Sequence, residues 1–77
     1  MTRLKTIREM TNADLIAALN QISHLESTGL WPNGMPYWVE LVGNALNIGI
    51  DMNKACEEIF REAAYRFKAM AELDKVS

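Results

Sequence analysis

Cysteine and histidine are almost missing from this chain, which has one of each, Cys56 and His24. A lone thiol cannot close an internal disulfide, and two potential ligands fall short of the four that a structural zinc site takes. No metal or other cofactor is therefore expected. Long apolar runs are lacking as well. No stretch approaches the roughly 18 consecutive apolar residues of a membrane span, and no apolar core follows the early basic residues as it would in an export signal. The expected location is the cytoplasm, with Cys56 reduced.

Catalytic patterning is also absent. Neither serine nor cysteine stands at a spacing from His24 that suggests a triad, and no glycine-rich phosphate loop occurs. Glu57, Glu58 and Glu62 could gather a metal, but Lys54, Arg61 and Arg66 share their side of a helix, so a solvated charged face is expected there. Cys56 falls in an apolar stripe, where a free thiol behaves as a small hydrophobe. The chain is expected not to be an enzyme.

The distribution of cations is uneven. Residues 11–50 contain no lysine or arginine, only the acids Asp14, Glu26 and Glu40. Residues 1–10 carry Arg3, Lys5 and Arg8 against Glu9, and the last 27 residues mix five basic with six acidic groups. A chain of 77 residues, 49% of them apolar, is one domain at most. It lies near the lower size at which one apolar core suffices, so a second chain is a common remedy.

Three helices are predicted after an N-terminal arm of residues 1–10, within a helical domain of residues 11–77. In the arm, Leu4, Ile7 and Met10 could lie on a short helix or an extended strip. Thr11 and Asp14 match an N-terminal capping pattern for a helix over 12–26. Leu15, Ile16, Leu19 and Ile22 form its apolar stripe, with Asn20, Gln21 and His24 opposite. Gly29 suits the left-handed position after its end. Pro32-Asn33-Gly34 marks a turn, and Pro36 suits the start of a helix over 36–48. Asp51 caps a third helix over 52–73, whose stripe is Met52, Cys56, Ile59, Phe60, Ala63, Ala64, Phe67, Met70 and Ala71.

The middle helix has unusual width. Tyr37, Ile48, Leu41, Ala45, Trp38, Val42, Leu46 and Val39 span about 200° of its circumference, against an apolar stripe of little more than 100° on an ordinary surface helix. The last helix has unusual length, about 33 Å at 1.5 Å per residue, so that Phe67, Met70 and Ala71 project past its neighbours. The expected fold is all-α: a small three-helix bundle with a basic arm and a long C-terminal helix, completed by dimerisation. The alternative is that the arm and the Trp31 loop fold back over the wide arc and close a monomeric core.

The expected function is accordingly a non-enzymatic protein–protein interaction module, a homodimeric small regulator or inhibitor that binds another macromolecule. Its interface residues would be Trp31, Val39, Val42, Leu46, Phe67 and Met70. Gly43 would then mark either a close helix–helix approach or a tolerated glycine. A second reading is a small DNA-binding regulator. Ala45, Gly49 and Ile50 have the spacing of a helix-turn-helix junction, and Arg3, Lys5 and Arg8 could contact nucleic acid. The start of the third helix, with Asp51, Glu57 and Glu58, opposes phosphate.

Overall fold

Four helices make up the computed structural model, which describes residues 4–76: α1 (Lys5–Arg8), α2 (Asn12–Thr28), α3 (Tyr37–Leu46) and α4 (Met52–Val76). No strand is present among the described residues. The fold is all-α.

Local signals account for the ends. Thr11 is the N-cap of α2, its hydroxyl accepting the Asp14 amide at 3.0 Å, which satisfies one of the backbone donors that a helix start leaves open. Gly29 closes the helix in the left-handed region (φ 78°), donating its amide to the Leu25 carbonyl at 2.7 Å. The helix runs two residues beyond the predicted end because Thr28 tolerates the last turn, its hydroxyl donating to the His24 carbonyl at 2.9 Å. Pro36 immediately precedes α3, and α3 ends at Leu46, short of the predicted Ile48, because Asn47 turns left-handed at φ 56°. Asp51 accepts the Lys54 amide at 3.0 Å and starts α4, which extends three residues past its predicted end.

The arm is an integral part of the fold. α1 packs against both α3 and α4, placing Ile7 and Met10 in one core with Leu15, Ala18, Ile22, Trp38, Val39, Val42, Ala55 and Ile59. This corrects the expectation of a pairing surface on α3. Val39 and Val42 are both 0% exposed within the single chain, and Leu46 is partly buried against the same core. Trp31, expected as an exposed anchor, is also partly buried. It stands edge-on to Trp38, with ring centroids 5.6 Å apart and planes at 87°, and its indole N–H points to the Met52 sulfur at 3.2 Å. The centre of the wide arc, Trp38, Val39 and Val42, is covered, with the arm and Trp31 packed against it, while Tyr37, Ala45 and Ile48 at its flanks stay exposed.

A second correction concerns α4. Glu58 and Glu62 are buried, Glu62 to 1% exposure, so this side is not a solvated charged face. α4 lies against α2 on one side and against α1 and α3 on the other, and that second contact encloses residues which helical periodicity assigns to solvent. Their charges are answered locally. Arg61 donates to Glu58 at 2.8 Å and to Glu57 at 2.9 Å, and Arg66 Nε donates to Glu62 at 2.7 Å. Arg66 also donates to Asn12 Oδ1 at the start of α2, at 2.8 Å, and to two arm carbonyls, of Met10 at 2.7 Å and Arg8 at 3.3 Å. A planar guanidinium can hold a carboxylate and several carbonyls at once, and here it fastens the start of the chain to α4.

Candidate interaction face

α2 and α4 run antiparallel. Asn12 meets Arg66, while at the opposite end of α2 Leu25 and Glu26 share a hollow with Asn53, Cys56 and Glu57. With 17 residues α2 is about 25 Å long, whereas the 25 residues of α4 reach about 37 Å. The surplus lies beyond Arg66. There Phe67 is 74% exposed, Met70 64% and Leu73 71%. The molecule measures 42 × 28 × 17 Å, close to two helices deep in its thinnest direction given helices roughly 10 Å apart. A slab this thin leaves one side of the α2–α4 pair without a third layer.

The exposed side carries two largely apolar depressions. Near the arm is a groove lined by Leu15, Ile16 and Leu19 of α2 and by Ala63, Phe67 and Met70 of α4. Near the α3–α4 turn is a hollow formed by Ile22, Leu25, Cys56 and Phe60 and edged by Glu26, Asn53 and Glu57. Of the six residues expected at an interface, only Phe67 and Met70 lie on this face. Ile16 and Phe60, 58% and 46% exposed, are on it as well and are not among those six. A sign of them was present: Ile16 lies at the edge of its helix's apolar stripe, and Phe60 stands seven residues before Phe67.

Burial and the nearby Glu26 carboxylate push the Cys56 thiol above its ordinary range, because both disfavour the thiolate. A thiol so placed is a poor nucleophile near neutrality. No group of three or more histidine, cysteine, aspartate or glutamate side chains among the described residues is placed to hold a metal ion. No helix among them is long and apolar enough to cross a membrane.

Nucleic-acid contact is expected of Arg3, Lys5 and Arg8 and of the α3–α4 junction. Lys5 and Arg8 are exposed on α1, and Arg3 lies outside the described residues. At the junction, Ala45 and Ile50 are exposed, whereas a helix-turn-helix buries its small residue and the apolar residue of the turn. The residue against which the turn closes is Gly43. Lys54, the one cation in the first turn of α4, is 3.5 Å from Glu57 and 3.9 Å from Glu58.

No protein-family model, curated protein or solved structure matches this chain.

Proposed function

We propose that this chain is a non-enzymatic helical interaction module, a small homodimeric regulator or inhibitor that binds protein through its α2–α4 face. In this reading it works in the cytoplasm as a small helical bundle, with α1 as a fourth, short element. The carrying observation is the clustering of Ile16, Phe60, Phe67 and Met70 along the α2–α4 side; Leu30, Met35, Tyr37, Ile48, Ile50 and Met52 are exposed as well, but around the two interhelical connections. Full burial of one large apolar side chain is worth about 1.5–3 kcal/mol, and whole domains are stable by about 5–15 kcal/mol. Four such groups left wet are a large unrealised stabilisation. Contiguous exposed apolar patches on small soluble domains mark binding surfaces or aggregation hazards. The DNA-binding alternative has less support, since Ala45 and Ile50 do not pack as its junction requires and α4 begins with acidic groups.

A photo-crosslinking amino acid placed at Ile16, and separately at Lys5, tests this in living cells. Protein adducts from position 16, with few from position 5, are the expected result. Adducts to nucleic acid, or protein adducts from position 5 alone, would overturn the reading.

A further inference from the structure

We infer that the occupant of this face is a second copy of the chain, its α4 lying antiparallel across α4 with the twofold axis between Ala63 and Ala64. The inference rests on the interaction reading above and adds its partner and register.

Spacing along α4 supports a helix partner. Phe60 and Phe67 are seven residues apart, as are Ala63 and Met70, and Ala64 and Ala71. Seven-residue recurrence presents one seam to another helix over successive turns. Residues of opposite size alternate along it, each phenylalanine followed by small side chains three and four positions on, or by Met70 and Ala71 in the second repeat. An axis at Ala63–Ala64 places Phe60 beside the partner's Phe67 and Ala64 beside the partner's Ala63. The bulky residues then flank the crossing, and the small ones let the helices approach at its centre. The seam is self-complementary, which is the requirement of an isologous twofold contact.

Charge agrees with the same register. Phe60, Ala63, Ala64, Phe67, Met70 and Ala71 include no charged residue, and the seam's α2 border runs uncharged through Asn12, Ile16, Leu19 and Ser23 as far as Glu26, at the hollow beside Phe60. Along its other border, Glu57 and Lys68 are both exposed. The antiparallel crossing brings Glu57 near the partner's Lys68, and Lys68 near the partner's Glu57, two opposite-charge pairs from one operation.

The area is sufficient. With aromatic side chains of about 150–250 Å², exposures of 46% for Phe60 and 74% for Phe67 leave roughly 240 Å² uncovered. Ile16 and Met70 add roughly 200 Å² on the same scale. A standard interface takes about 800 Å² from each partner, somewhat over half of it apolar. Four side chains supply most of that apolar share.

Sedimentation equilibrium of the full chain from about 1 to 500 µM, with circular dichroism to confirm helicity, tests the inference. A dimer is expected, and Phe67→Glu should raise its dissociation constant at least tenfold while the helical signal persists. Lys68→Glu should weaken the dimer, and Glu57→Lys combined with Lys68→Glu should restore it. In a Cys56→Ser background, Ala64→Cys should give a disulfide-linked dimer under mild oxidation, and Ala69→Cys, on the opposite side of α4, should not. A monomer at every concentration overturns self-pairing, and protein adducts from position 16 would still uphold the interaction reading. A dimer indifferent to Phe67→Glu, or cross-linked at position 69 and not at 64, overturns the register.

Discussion

The carbonyl oxygen of Gly49 occupies the space that a side chain on Gly43 would need. A β-carbon built on Gly43 collides with that oxygen and comes within 2.8 Å of the Gly49 carbonyl carbon. Both obstructing atoms are backbone, so neither can swing aside. Alanine normally stabilises a helix interior over glycine by about 1 kcal/mol. Here Gly43→Ala is expected to destabilise by about 1–3 kcal/mol, the range for forcing extra volume into a packed site. A lower midpoint in urea unfolding, with an unchanged slope, is the expected observation. A raised midpoint would mean that the α3–α4 turn relaxes freely.

Removing the Arg66 guanidinium should loosen the arm as well as lower stability. Arg66→Met takes from Glu62 its 2.7 Å guanidinium donor and from the Met10 and Arg8 carbonyls the donors that Arg66 supplies. Losing one member of a buried ion pair costs about 3–5 kcal/mol, and the partial exposure of Arg66 places the expected loss nearer 2–3 kcal/mol. Adding Glu62→Leu should recover much of it, since a packed apolar pair can replace a buried ionic one. Hydrogen exchange localises the effect: the amides of Ile7, Arg8 and Glu9, bonded to Leu4 and Lys5 carbonyls, should exchange faster in Arg66→Met than in a variant equally destabilised elsewhere.

Trp38 donates its indole N–H to Gln21 Oε1 at 2.9 Å. Gln21→Leu keeps a side chain of similar bulk and removes the acceptor. Leaving a buried donor unpaired costs about 1–3 kcal/mol, which thermal or urea unfolding would register. A cost indistinguishable from zero would mean that the indole finds another acceptor.

Cys56 gives a pH dependence of definite sign. Its thiol is raised by burial and by Glu26, so the folded state holds its proton to higher pH than the unfolded chain does. The contribution to stability is complete below the ordinary thiol value and is lost as pH rises through the folded one. Stability should therefore fall less steeply on the alkaline side in Cys56→Ala than in the parent. Alkylation of Cys56 should be slow at neutral pH and accelerate only above the usual thiol range.

Much of the fold is legible in the residues because its signals are local. The Thr11 cap, the Gly29 terminator and the Asp51 cap each act within one helical turn, and each marks an element boundary in the structure. The buried side of α4 is not legible in the same way. Periodicity assigns charged residues to solvent, and nothing near Glu58 or Glu62 in sequence announces that α1 and α3 will cover them. Val39 and Val42 were misplaced for the converse reason: the arm that covers them lies more than thirty residues earlier, and its short helix carries too little pattern to declare where it docks. Phe67 and Met70 could be placed on the surface because helix length alone sets them beyond their neighbours. Gln21 looked like a surface residue, although a core tryptophan needs an acceptor and a glutamine on an adjoining helix is a natural one.

The Arg66 contacts join residues 54 to 58 positions apart. On the ribosome, the arm is made more than fifty residues before the group that fastens it. Until then Val39 and Val42 lack a secured cover, and a nascent chain presents to the cell a sticky surface that the mature protein hides. Synthesis halted between Val42 and Arg66 should thus yield a fragment prone to chaperone capture, while extension of α4 through Arg66 ends that exposure.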